Sequence, residues 1–268
     1  MHYDPIKDKV GGWFNKSLAT RKLFYSFLDL LLLRTWHIHK ELRKFFAKNP
    51  TKVDVLDAGS GFGQYSFWMA RKYSQLKINA VDVKADYLAD CNAFFKKCGL
   101  NNVAFEECDL TNFPKPNCYD LVVCVDVMEH ILEDVEVFRH MNANLRPGGM
   151  VLISTPSDQG GSDVQGDADE SFISEHVRDG YPILEIQEKL KTAGFSKTEA
   201  RYSYGTPGKI AWRFSMKYPI LMLNRSKLFY IVLPFWYLLF YPVCFLLNWM
   251  DANMSHSTGT GLIVKAWK

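Results

Sequence analysis

Val53-Asp54-Val55-Leu56-Asp57-Ala58-Gly59-Ser60-Gly61-Phe62-Gly63 joins a short apolar run to an acid and three alternating glycines. The run reads as a buried strand, and Gln64 to about Tyr73 as the helix that follows it. Glycines at 59, 61 and 63 let the chain turn tightly and bring bare backbone against a ligand. The helix N-terminus behind them adds free N–H groups and the positive end of a dipole. The G-x-G-x-G spacing, with an acid two residues ahead, departs from the G-x-G-x-x-G dinucleotide fingerprint.

Further strands repeat the pattern of an apolar run ending in an acid. Lys77-Ile78-Asn79-Ala80-Val81 ends in Asp82, 19 residues after Gly63. A carboxylate at the tip of a second strand can accept two hydrogen bonds from a ribose diol. Val103 to Cys108 ends in Asp109-Leu110, and Tyr119 to Val125 ends in Asp126. Arg146-Pro147-Gly148-Gly149 then turns into Met150-Val151-Leu152-Ile153-Ser154. One acid at a strand tip means little. Asp57, Asp82, Asp109 and Asp126 in register would line one carboxyl edge of a parallel sheet, where ligands bind.

With these motifs in order, the chain resembles a class I S-adenosylmethionine (SAM)-dependent methyltransferase of the group that includes quinone and small-molecule methyltransferases. The matching stretches are VLDAGSGFGQ, AVDVKADYL, EECDLTNFP, YDLVVCVDVMEHI and LRPGGMVLISTP, covering roughly Lys52 to Pro156. Weaker matches follow at SEHVRDGY, EKLKTAGF and the final strand. The resemblance implies SAM as cofactor and a cofactor-binding set. In it Gly59, Gly61 and Gly63, with Ser60 among them, approach the methionine part, and Asp57 meets its amino group. Asp82, with Val83 next to it, takes the ribose; Asp109 and Leu110 take the adenine; Asp126 lies beneath the sulfonium.

The fold this implies is α/β: a doubly wound, seven-stranded, mostly parallel sheet closed by an antiparallel pair, Ser196 to Tyr202 and Gly261 to Trp267. An N-terminal helical cover (1–49) precedes the SAM-binding domain (50–204 and 258–268), which is interrupted by an apolar and basic helical insertion (205–257). In the cover, Leu23 to Leu33 is apolar almost all round, which predicts a helix buried on more than one side. In the insertion, Leu228 to Met250 is 23 residues without a formal charge, enough to cross a bilayer by length. A single crossing would separate two strands of one sheet, so the chain must return. Pro234 and Pro242 are the expected breaks of a helical hairpin that dips into one leaflet or caps the active site.

Charge is unevenly spread. Residues 1–49 carry 10 Lys or Arg against 4 Asp or Glu, residues 50–200 carry 14 against 24, and residues 201–250 carry 6 against none. Basic flanks around an acidic centre suit an anionic surface. Nucleic acid is disfavoured, because the basic parts are also the most apolar. Lys209, Arg213 and Lys217, spaced by four, suit a helix lying on anionic headgroups; the alternative is a solvated basic stripe. The first ten residues are polar and charged, and the six cysteines fall singly, so the expectation is a cytoplasmic protein peripheral to the inner face of a membrane.

Two histidines are the catalytic candidates. His130 follows Glu129 just past the fourth strand, where a structural role bonded to the backbone competes with catalysis. His176, in Ser174-Glu175-His176-Val177-Arg178, either orients or deprotonates a nucleophile or caps the next helix. The Gly- and Asp-rich stretch 157–170 ahead of it reads as a solvated, mobile loop with a substrate-contact role, rather than a metal site. The function expected is methyl transfer to a lipid-like or isoprenoid-tailed molecule at a membrane surface. The alternatives are a soluble small-molecule methyltransferase with the insertion as lid or dimer contact, and a non-catalytic binding module.

Overall fold

The computed structural model describes residues 17–160 and 177–268. These residues form a seven-stranded sheet in the order β3-β2-β1-β4-β5-β7-β6. Its strands are β1 Val53–Ala58, β2 Leu76–Asp82, β3 Val103–Glu107, β4 Tyr119–Val125, β5 Leu145–Pro156, β6 Lys197–Ser203 and β7 Gly261–Trp267. Strands β1 to β5 pair in parallel, and β7 runs antiparallel between β5 and β6. The expected doubly wound sheet and its closing pair are therefore present. Strand order reverses between β1 and β4, which places a crevice beyond their carboxyl ends.

Alternate strand residues serve two cores, as the two-residue period of a strand requires. On one face Val55, Ile78, Leu121 and Leu152 pack with Ile38, Leu42 and Phe46 of an N-terminal helix and with Phe67 and Phe95. On the other, Leu56, Val81, Val122 and Val151 pack with Phe138, Met141, Ile186 and Leu190. The helices involved are α3 Gln64–Lys72, α4 Ala85–Lys97, α5 Asp134–Asn144 and α6 Ile183–Thr192.

The N-terminal cover is two helices, α1 Leu18–Leu31 and α2 Leu33–Lys48, broken at Leu32, which is extended. A Ser17–Thr20 capping box starts α1. The expectation that Leu23–Leu33 is one helix buried on several sides is corrected. Leu23, Phe27 and Leu30 of α1 stay exposed, Leu23 by 53%. Burial falls instead to α2, whose Leu33, Ile38 and Leu42 are covered.

After β6 the chain forms α7 Thr206–Trp212, a π-turn Arg213–Lys217, α8 Tyr218–Arg225 and then α9 Phe229–Asn253. The hairpin exists, but its bend falls at Ser226–Leu228, not at the prolines. Pro234 and Pro242 lie inside the uninterrupted 25-residue α9. A proline removes one helix hydrogen bond and kinks a helix, yet packing along a neighbour can hold it together. Here Trp236 Nε1 and Tyr237 Oη donate to the carbonyls of Phe214 and Ser215 in the π-turn, at 2.8 and 2.9 Å. Phe214, Trp236 and Phe240 stack beside them.

One buried acid ties this hairpin to the sheet. Asp251, fully buried near the end of α9, accepts from the backbone N–H of Tyr204 (3.1 Å) and of Gly208 (3.0 Å). It is also 2.9 Å from His37 Nε2 on α2 and 3.2 Å from His256 Nε2. Arg201 of β6 lies 3.0 Å from His37 Nδ1. Arginine can only donate, so Nδ1 accepts and Nε2 carries the proton given to Asp251. Burial, with Arg201 nearby, holds His37 below its ordinary pKa and neutral. Asp251→Ala leaves several buried donors without an acceptor and is expected to destabilise the protein by about 3–5 kcal/mol. Chemical denaturation followed by tryptophan fluorescence measures this.

Candidate active site

The crevice is built on the loop after β1. Gly59 and Ser60 both donate their N–H to the Val81 carbonyl at 2.9 Å, which folds the loop back over β2. Gly59 has φ +77°, and a Cβ there would stand 2.3 Å from Val127 Cγ2. Gly61 also has positive φ, but a Cβ there would meet nothing within 4 Å. The first glycine is thus required by close packing, and the second faces open space. Gly63, left-handed at φ +73°, is the N-cap of α3.

The acids take up distinct positions at this edge. Asp82 accepts from the Gly61 N–H (2.8 Å) and the Lys84 N–H (3.1 Å), so it braces the glycine loop. Two further lone pairs on that carboxylate remain for a diol. Val83, beside it, is an exposed apolar side chain at the strand tip. Asp57 is only 2% exposed and accepts from Ser66 Oγ at 2.6 Å. Burial pushes it up to about 6 against the Ser66 hydrogen bond, which works the other way. Asp109 caps the short turn Leu110–Asn112 through Thr111, and Leu110 is buried. Ser60 is nearly buried, and among the described residues its Oγ has no hydrogen-bond partner.

Asp126 follows β4 in a left-handed conformation, φ +52°. A non-glycine residue held there costs energy that its surroundings must supply. Its N–H donates to the Ser154 carbonyl at 2.8 Å, and its carboxylate is ion-paired with Arg34 of α2. The backbone N–H of Arg34 donates to Tyr204 Oη at 3.1 Å. Tyr204, at the end of β6, is itself left-handed at φ +54°. Glu129, almost fully buried, accepts from Thr155 Oγ1 at 3.1 Å. Burial, and then the charge of Asp126, push Glu129 well above the carboxylate range, to about 8.

Four acids and three glycines are therefore brought to one edge, as the sequence suggested. His130 lies in the turn Met128–His130, with its N–H on the Val127 carbonyl. His176 and most of the acidic loop lie outside the described residues. Arg34, Tyr204 and Glu129 were not singled out as site residues. An arginine directly after four consecutive leucines, Leu30 to Leu33, was the available signal for the first.

This reversal point, with its glycine loop and acid-tipped strands, is the crevice of the class I methyltransferase fold. The chain belongs to the methyltransferase-domain family, whose model matches residues 50–199. It is 32% identical over 155 residues to phosphoethanolamine N-methyltransferase 1 of Arabidopsis thaliana, covering 53% of this chain and 28% of that one. It is 26% identical over 142 residues to a ubiquinone biosynthesis O-methyltransferase of Sodalis glossinidius, covering 47% of this chain and 56% of that one. The chain thus spans only part of the length of either relative. In fold it resembles a Haemonchus contortus phosphoethanolamine N-methyltransferase 2 solved with SAM, at a TM-score of 0.60 and 19% identity, covering 91% of this chain and 60% of the other.

The two glycines make separable predictions. Gly59→Ala is expected to cost about 3 kcal/mol, from left-handed strain plus overpacking against Val127. Adding Val127→Ala should recover the packing part. Gly61→Ala should cost only the strain, about 1–2 kcal/mol. Denaturation midpoints of the three variants test the difference.

Proposed function

We propose that this chain binds SAM in the crevice above β1, β2 and β4 and transfers its methyl group to a hydrophobic, lipid-like or isoprenoid-tailed acceptor at a membrane surface. The residues present suit the cofactor. Open space at Gly61, the unpartnered Ser60 hydroxyl and the remaining lone pairs of Asp82 offer room, a donor and a diol acceptor. SAM supplies an electrophilic methyl carbon, so the protein's work is to align the acceptor and exclude water. The relatives' names, one for phosphoethanolamine and one for ubiquinone biosynthesis, support a small-molecule acceptor.

One observation carries the membrane part: the outer face of α9. Leu238 is 78% exposed, Phe235 and Ile231 71%, and Leu239 69%. Apolar area on that scale exceeds what a lone soluble surface usually shows. Tyr241 Oη on α9 donates to the Leu30 carbonyl, and Phe245 packs on Trp36, so the exposed stripe of α1 adjoins it. At 25 residues α9 is about 38 Å long. Its hairpin partner returns to the same side of the sheet, and the tip carries Arg225 and Lys227. Driving two charges through hydrocarbon is costly, which favours a hairpin lying in the headgroup region of one leaflet. Lys209, Arg213 and Lys217 on its basic limb favour an anionic, cytoplasmic leaflet.

Asp82→Ala should weaken SAM binding by about 1.5–3 kcal/mol, the range for a charge-assisted hydrogen bond, in titration calorimetry. Unchanged affinity would displace the ribose from this acid. The protein should float with phosphatidylserine-containing liposomes, and Phe235→Glu with Leu238→Glu and Leu239→Glu should release it while SAM affinity holds. A protein that stays in the soluble fraction, with the triple variant alone losing a dimer in sedimentation, would make the hairpin a subunit contact instead.

A further inference from the structure

The Arg34–Asp126 ion pair places a cation at the carboxyl edge of the sheet, beside the tip of β4. Both side chains are partly open to solvent, Arg34 by 32% and Asp126 by 28%, so the pair lines the crevice rather than the core. Arg34 is held from behind. Its N–H is bonded to Tyr204, whose own N–H is bonded to Asp251, the anchor of the hairpin. Tyr65 of α3 and Glu129 lie within electrostatic reach of the guanidinium. Asp126 is strained at φ +52° and Tyr204 at φ +54°. Two strained residues on either side of one arginine mark a position that the fold pays to maintain.

Charge counting gives the consequence. Asp126 is compensated by Arg34, and Glu129 is buried beneath Thr155 with little access. A SAM molecule adds a sulfonium on the same side. An acceptor ending in a protonated amine would bring another cation against Arg34 and the sulfonium, where, among the described residues, Asp126 is already ion-paired and Glu129 is buried. An anionic oxygen would accept charge-assisted hydrogen bonds from the guanidinium, and a carboxylate or phosphate could accept two in parallel. We propose that Arg34 is a specificity-determining residue that selects acceptors whose polar end carries an anionic oxygen (phenolate, carboxylate or phosphate) over acceptors ending in an ammonium group. This rests on the methyltransferase reading above and narrows its substrate class.

The test uses binding to the full chain saturated with S-adenosylhomocysteine, so turnover is not needed. Two probes share a ring and tail and differ in charge: 4-butylbenzoate and 4-butylbenzylammonium. The wild type should bind the benzoate at least about tenfold more tightly, a difference of about 1.4 kcal/mol. Arg34→Lys should keep part of that preference. Arg34→Gln should reverse it, because Asp126 is then uncompensated and attracts the ammonium. S-adenosylhomocysteine is kept saturating for each variant, at a concentration set from that variant's own measured affinity. The absence of any benzoate preference in the wild type, including no binding of either probe, overturns the proposal. So does a preference that survives Arg34→Gln. Failure of the wild type to bind S-adenosylhomocysteine would instead overturn the cofactor assignment on which it rests.

Discussion

Strands β6 and β7 lie side by side in one sheet, and most of what distinguishes this chain follows from that pairing. Everything between Ser203 and Gly261 must leave the sheet and come back within one strand spacing. A 25-residue apolar helix under that constraint cannot end on the far side of anything; it needs a partner that runs the other way. The limb from Thr206 to Arg225 is that partner, and its π-turn presents carbonyls that Trp236 and Tyr237 cover. Asp251 closes the loop by holding Tyr204 at the hairpin's entry and His37 on α2 with one carboxylate. Buried acids are expensive unless every lone pair is used. Here the cost is met by fixed donors, which link the hairpin, the cover and the end of β6.

That linkage reaches the crevice through a short path: Asp251 to Tyr204, Tyr204 to Arg34, Arg34 to Asp126. The consequence is chemical as well as mechanical. The family fold supplies the glycine loop and the acids, which suit a nucleotide-bearing cofactor. The residues that meet Asp126 lie outside the matched residues 50–199: Arg34 in the N-terminal cover, and Tyr204 behind it at the root of the hairpin. On the proposed reading, the cofactor end and the acceptor end of the crevice come from different stretches of chain.

This division also explains what was readable in the sequence. Strands β1, β4 and β5 announced themselves because buried parallel strands are continuous apolar runs, and their tips are short and local. Asp57, Asp82, Asp109 and Asp126 each sit within two residues of such a run's end. Arg34 and Tyr204 belong to no local pattern. Their partners are 92 and 170 residues away along the chain, respectively, with Tyr204 paired to Arg34 itself. Nor could periodicity show which face of α1 stays bare, since the residues that would cover it are chosen by tertiary packing. The prolines of α9 misled for a related reason. Their local effect is to weaken a helix, and only a neighbouring limb shows why this one persists.

A greasy outer face and a charged crevice look like opposed requirements, but the geometry reconciles them. Arg34 follows Leu33, which is buried, and precedes Trp36, which packs on Phe245 of α9. Within three residues, therefore, α2 passes from the core to the ion pair to the apolar face of the hairpin. An amphiphile lying along α9 with its tail in the leaflet would have its polar end within reach of α2. The length of a single helical turn separates the surface that would hold such a tail from the cation that would read its head. Low dielectric on that side would strengthen the Arg34 charge as seen from the crevice. If Arg34 selects acceptors as proposed, a change that wets α9 should blunt that selection even where no residue of the crevice is altered.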